Sequence, residues 1–365
     1  MSFTTTDIFT ILIFISFIIF SFLLERKIKL SPLNKNNDYS IEGLRGFACV
    51  FVFINHAAYG FNHIGVDTFN AMGNNLYFGK LGAFGVEIFF CITGFLFSKK
   101  IKNGDIDLSF FEKRIRRLVP AYIFTSTVVL LIFVFLNFNN IRWYYDYASL
   151  IKQIYGFGFF GSKIEVNGIT DTSMNVVVWT LPYEWIFYAF VPFLAAAFKM
   201  RSYFLCIIFF GIALLSIDYW AKTFLWGYFI SGFIASYIPT INNKIYKCIS
   251  SILLVAIFLY IYIYKFVKEL HGLEMLVCVS LFFFIFISIR PPLFSSKPLV
   301  SIGIMSYSIY LIHQVLISTS LRTISYFGIE IESMYSYIIT VAVIALLTLV
   351  CSVLMYKNIE RKFIT

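Results

Sequence analysis

Arg45 and His56 lie eleven residues apart in the apolar stretch Leu44–Gly60. On a helix, at roughly 100° per residue, that spacing puts both on one face to within about 20°. A rise of about 1.5 Å per residue separates them by roughly 16 Å, which sets Arg45 at one membrane surface and His56 about halfway through. A charge in a spanning helix costs roughly 2.5–3.5 kcal/mol on insertion scales, so such residues usually serve a function. The structural alternative is an Arg that snorkels to the interface and a core His satisfied by a neighbour. The other ionisable residues expected inside spans are Glu87, Glu184 and His313, with Asp218 and Glu274 nearer the ends. A neutral imidazole accepts a proton near pH 7, and a carboxylate on its other nitrogen raises its basicity. The set suits acid–base chemistry. Serine-nucleophile, Walker and dinucleotide motifs are absent.

A second cluster sits just before the apolar run that starts at Leu118. Arg114, Arg116 and Arg117 close a stretch, 99–117, that also carries Lys99, Lys100, Lys102 and Lys113. It reads as a topology signal with attraction to anionic lipids, or as a phosphate site, because guanidinium offers forked donors that match phosphate oxygens. The six cysteines, Cys49, Cys91, Cys206, Cys248, Cys278 and Cys351, fall singly in or beside spans. They are expected to be small apolar packing residues, with no metal site and no disulfide framework.

Only membrane helices can position these groups. Hydrophobic residues make up 60% of the chain and charged ones 13%, which excludes an ordinary soluble domain. Apolar stretches of spanning length recur at about 7–24, 43–60, 82–98, 118–137, 180–198, 203–219, 221–238, 247–267, 272–289, 302–321 and 335–356. The expected fold is an all-α integral-membrane bundle of about eleven transmembrane helices. Of the 29 Lys and Arg residues, 20 fall on the side that carries the C-terminus, 8 on the other, and Arg45 is the remaining one. This bias predicts a multi-pass protein with its N-terminus outside and its C-terminus and Arg45 in the cytoplasm. The first span lacks a preceding Lys or Arg and a small-residue cleavage site, so it reads as an anchor rather than a signal peptide. The net charge of +10 is mostly this topology signal. Nucleic acid is not an expected partner, because no basic soluble module is present. The longest external loop, 138–179, mixes Trp143 and other aromatics with glycines. It reads as an interfacial aromatic belt, or as a partly re-entrant lid and platform for sugar rings.

Five segments together resemble the acyltransferase family 3 membrane proteins. Glu42-Gly43-Leu44-Arg45-Gly46 running on to Asn55-His56 resembles the family's opening motif, an Arg, ten residues, then a His. Gly85-Val86-Glu87-Ile88-Phe89-Phe90-Cys91-Ile92-Thr93-Gly94-Phe95 is similar to its second helix, where Ser is usual in place of Thr93. Arg114-Ile115-Arg116-Arg117-Leu118-Val119-Pro120 resembles its RxxR segment. Trp179-Thr180-Leu181-Pro182-Tyr183-Glu184-Trp185-Ile186-Phe187-Tyr188 is similar to its Trp-Ser-Leu…Glu…Phe-Tyr helix, with Thr180 and Pro182 as departures. Ser306-Tyr307-Ser308-Ile309-Tyr310-Leu311-Ile312-His313 resembles its late Ser-Tyr…Tyr-Leu…His segment.

The resemblance implies a ten-helix acyltransferase core over 41–365, preceded by an added transmembrane helix and cytoplasmic linker over 1–40. It implies an O-acetyltransferase that takes an acyl group, usually acetyl from acetyl-CoA, to a hydroxyl of an extracytoplasmic glycan or lipid-linked sugar. Under that reading Arg45, Arg114 and Arg117 hold the donor phosphates, with Arg116 as an auxiliary. His56 is the general base, acting directly or through an acetyl-His intermediate. Glu184 and Glu87 are candidates to orient His56 or shape the acceptor site, or else bridge helices. Asn55, Tyr188 and Tyr310 are candidate donors to the developing oxyanion. His313 reads as a packed core residue, and His63 and His271 as external-loop residues with no role. Some relatives carry a fused periplasmic domain that is not seen here, so the membrane unit is expected to act alone or with a separate extracytoplasmic partner. Membrane lipids are the remaining expected partners, and the composition fits a bacterial inner-membrane protein. The competing reading is a transporter or flippase for an anionic sugar-lipid or metabolite, with the carboxylates as proton relays.

Overall fold

The computed structural model describes residues 5–28, 38–60, 75–104, 106, 109–140, 143–200, 204, 208, 211–212, 223–263, 269–331 and 333–364. Its helices are α1 (Thr5–Ile28), α2 (Tyr39–Gly60), α3 (Asn75–Asn103), α4 (Ser109–Asn137), α5 (Trp143–Tyr155), α6 (Leu181–Lys199), α7 (Leu225–Ala235), α8 (Lys244–Ile263), α9 (Leu273–Ile289), α10 (Lys297–Ile304), α11 (Ser306–Tyr326) and α12 (Met334–Met355). A π-helical turn, Tyr356–Glu360, follows α12. The protein is an all-α multi-pass membrane protein.

Seven described helices are long and apolar enough to cross a membrane, and the number rises to eight if the pair α10–α11, bent by 76°, forms one span. Eleven were expected, and length explains much of the difference. The 11 residues of α7 and 17 of α9 cover roughly 16 and 25 Å against a hydrocarbon core of about 30 Å. The span expected at 203–219 lies almost wholly outside the described residues, as do Cys206 and His63.

Bundle packing follows from small residues at two crossings. α2 and α10 approach so closely that a Cβ on Gly46 would sit 2.1 Å from the Leu299 carbonyl oxygen, and one on Gly303 would sit 1.8 Å from that of Glu42. α3 and α7 repeat the arrangement. A Cβ on Gly94 would sit 2.1 Å from the Phe229 carbonyl oxygen, and one on Gly232 would sit 1.9 Å from that of Cys91. Lipid supplies no hydrophobic drive between helices, so this close backbone contact is what holds them together. α3 sits centrally, against α2, α6 and α7, and is sealed by Phe84, Ile88, Phe90 and Cys91.

The described residues of the 138–179 region form a folded layer against the bundle. α5 is followed by a hairpin that pairs Ile164–Val166 with Ile169–Asp171. Its two-residue turn, Asn167-Gly168, has both residues at positive φ, 50° and 80°, as the right-handed strand twist favours. A 3-10 turn, Val176–Thr180, then leads into α6. Several hydrogen bonds tie the layer to the bundle, among them those of Tyr122 and Arg322. Tyr122 donates its hydroxyl proton to the Ile154 carbonyl at 2.8 Å, accepts from Phe157 N–H at 2.9 Å and stacks on the Phe157 ring. Arg322 donates to Asp171 at 2.6 Å, and Asp171 also accepts from Ser173 N–H and Ser173 Oγ. Phe159 and Phe160 remain exposed. Trp143 opens α5, but its side chain lies outside the described residues.

Candidate functional site

A cavity of about 250 Å³ opens where α2, α3, α4, α6 and α11 meet. Arg45 reaches it from α2, Lys100 from α3, and Arg114 and Arg117 from α4, so four cations converge. Glu184 is the one carboxylate among its lining residues, and it accepts a hydrogen bond from Tyr188 at 3.1 Å. Arg45 is held loosely by Glu42 at 3.5 Å, while its buried Nε has no hydrogen-bond partner. Arg114 lies 5.3 Å over the Phe97 ring. Spacing on the helix decides which arginines arrive. Residues three apart share a face, so Arg114 and Arg117 point together. Arg116, roughly 200° around from Arg114, points away. It pairs with Glu112 at 2.6 Å on the exposed side of α4.

His56 does not line the cavity. Its ring packs 5.2 Å from that of His313, and His313 lies 6.0 Å from Tyr310, which does line it. The rings of Tyr310 and His313 thus form a chain of neighbours from the arginine cavity to His56. The Tyr310 hydroxyl donates to the Val177 carbonyl at 2.6 Å and so must accept from Thr180, also at 2.6 Å. Tyr188 and Tyr310, both expected as oxyanion donors, thus have their protons engaged. Asn55 packs against α3, with its amide nitrogen over Gly82.

Glu87 and Glu184 are not brought together. Glu87 is fully buried on the α3 face away from the cavity and accepts from His271 Nδ1 at 3.0 Å. His271, read from the sequence as a loop residue without a role, holds a left-handed backbone at φ 66° and stacks near Trp179 at 5.4 Å. Glu360 was also missed. It is buried on the π-helical turn and accepts from Ser308 at 2.8 Å. No periodicity links Glu87 to His271 or Ser308 to Glu360, since each pair joins segments far apart in the chain. Arg116 is different, because the helical spacing alone could have separated it from its neighbours.

The family model for the acyltransferase domain of acyltransferase family 3 matches residues 38–357. The chain belongs to that family. Among similar proteins is ORF330 of Acidianus two-tailed virus, provisionally named an acetyltransferase, 25% identical over 312 residues that cover 79% of this chain and 86% of that one. Another is an O-acetyl transferase of Shigella phage Sf6, 29% identical over 135 residues, 36% of this chain and 40% of that one. No solved structure matches. In this acyltransferase, all five segments that resemble the family's motifs reach one place. Arg45, the Val86–Phe90 face, Arg114 with Arg117, Thr180 with Glu184 and Tyr188, and Ser306 with Tyr307 and Tyr310 all line the same cavity.

Proposed function

We propose that this acyltransferase moves an acetyl group from cytoplasmic acetyl-CoA to a hydroxyl of an extracytoplasmic glycan or lipid-linked sugar, with residues 41–365 as the working unit. In this reading the protein lies in a bacterial plasma membrane with its N-terminus outside and its C-terminus in the cytoplasm. The observation that carries the reading is the cavity in which Arg45, Arg114, Arg117 and Lys100 converge on a single carboxylate. Four cations outnumber the carboxylates beside them, Glu184 in the lining and Glu42 against Arg45, and a phosphorylated donor relieves their repulsion while filling the forked donor positions. The unsatisfied Arg45 Nε is suited to such an anion. The names of the two relatives support the acetyl assignment.

His56 serves as the general base. It takes the acceptor hydroxyl proton as the oxygen attacks the thioester carbonyl. The C–S bond breaks, and the thiolate of CoA leaves with the proton held by His56. Tyr310 and His313 stand between the cavity and His56, so they form the wall along which the thioester must reach the base. Glu184 belongs to the donor cavity, where it fixes Tyr188 and moderates the arginines. Glu87, bonded to His271, bridges helices.

The test is label transfer from radiolabelled acetyl-CoA to a cell-envelope glycan extract by purified protein in lipid, for wild type and His56→Ala. Transfer by wild type alone is expected, together with thermal protection by CoA in both forms. A His56→Ala protein as active as wild type would remove the base. Absence of both transfer and protection would remove the acyl-CoA reading.

A further inference from the structure

In the proposed reaction His56 needs a partner to hold its ring, and the two carboxylates that the sequence offered are bound elsewhere, Glu87 to His271 and Glu184 to Tyr188. The group beside His56 is another imidazole. His313 is 1% exposed, and its Nδ1 lies 2.9 Å from the Ile309 carbonyl. A carbonyl only accepts, so Nδ1 carries the proton and Nε2 presents a lone pair. That Nε2 is buried and has no hydrogen-bond partner. The two rings lie 5.2 Å apart, centroid to centroid, tilted by 54°. An N–H···N bond of about 2.9 Å between two imidazoles in line spans about 5 Å between ring centres. The observed ring spacing thus matches the spacing such a bond requires.

We propose that His313 is the positioning residue of the transfer reaction, accepting a hydrogen bond at Nε2 from one nitrogen of His56 so that the other nitrogen faces the acceptor hydroxyl. The inference rests on His56 acting as the base. When His56 takes the hydroxyl proton, both its nitrogens carry hydrogen, and the one toward His313 stays bonded to a neutral acceptor. The proton count does not change at His313. The proton gained by His56 goes to the leaving thiolate. The Ile309 carbonyl has the task of the orienting group, because it holds His313 in the tautomer that can accept. Phe53 and Tyr310, with rings 6.3 and 6.0 Å from His313, close the sides of the pair.

The experiment compares His313→Phe, which keeps a ring but removes the acceptor, with His313→Gln, whose side-chain carbonyl restores one. Both are assayed in lipid with labelled acetyl-CoA beside wild type and His56→Ala. His313→Phe is expected to lower kcat about 100-fold with the KM for acetyl-CoA within about twofold. His313→Gln is expected to recover about tenfold of that loss, and both should keep CoA-dependent thermal protection. Should His313→Phe fail to fold, the double variant His56→Ala/His313→Gln decides, because a residue acting through His56 adds no further loss to His56→Ala. Equal loss in the Phe and Gln variants, near-wild-type kcat in His313→Phe, or additive losses in the double variant would overturn the proposal. An active wild type matched by His56→Ala would overturn the underlying base assignment instead, and the two failures are thereby told apart.

Discussion

Arg114 and Arg116 stand two residues apart on one helix and meet different surroundings. Arg114 faces the cavity over Phe97, while Arg116 is exposed and paired with Glu112. Exposed i,i+4 ion pairs contribute only about 0.3–0.5 kcal/mol, whereas a hydrogen bond to a charged group is worth about 1.5–3 kcal/mol. Steady-state kinetics in lipid should separate them. Arg114→Ala is expected to raise the KM for acetyl-CoA roughly tenfold to a hundredfold with a small change in kcat, and Arg116→Ala to leave both within about twofold. Equal effects would mean that the cavity is not the donor site. The pattern Arg-x-x-Arg was readable as a same-face pair, so this much of the site was legible in the sequence. That Arg45 joins the pair from another helix was expected only from the family resemblance, because no spacing within a single helix links them.

At the scale of elements, the motif Glu42-Gly43-Leu44-Arg45-Gly46 does two jobs. Arg45 supplies charge to the cavity, while Gly46 lets α2 lie on α10 at backbone contact and Gly43 lets it lie on the turn Pro292–Ser295. A methyl group on Gly46 would meet the Leu299 carbonyl oxygen at 2.1 Å, and overpacking of this kind costs about 1–3 kcal/mol. Gly46→Ala should therefore lower Tm in detergent by a few degrees and weaken CoA protection, because Arg45 moves with the helix. A variant with unchanged Tm and activity would show that the crossing relaxes freely. The hydropathy pattern located ten of the apolar segments that became helices or helix pairs. It could not tell crossings from short helices, because α7 and α9 are as apolar as true spans and differ only in where the chain turns.

At the scale of the whole molecule, Asp171 and Arg322 help fasten the 138–179 layer to the bundle. Burial works to raise the Asp171 carboxyl, but the Arg322 guanidinium and the Ser173 donors outweigh it and hold the group below the usual carboxylate range. An unfolded aspartate titrates near 3.9. The stabilisation is therefore complete above about pH 4 and is lost as pH falls through the depressed folded value. Thermal unfolding followed from about pH 6 downward should show wild type losing stability below about pH 4. Asp171→Asn should start lower at neutral pH and lose less on acidification. Parallel curves for the two proteins would exclude the clamp as the source. The external loop was legible only as aromatic and glycine-rich, with its Asn167-Gly168 turn hidden among many turn-forming residues.

By itself the sequence determined the class of protein: a helical membrane acyltransferase whose motifs carry arginines and histidines in or beside apolar segments. It could do so because hydropathy, charge bias and motif spacing are local properties, each complete within about twenty residues. The tertiary structure alone decided which groups meet. It assigned Glu87 to His271, left Glu184 with Tyr188, closed Tyr310 onto Val177, and set His313 rather than a carboxylate beside His56. Apart from Glu184 with Tyr188, four residues apart on α6, these pairings join segments far apart in the chain, whose placement depends on glycine crossings and on the bend between α10 and α11. Such packing is a property of all the contacts at once, and no single segment encodes it.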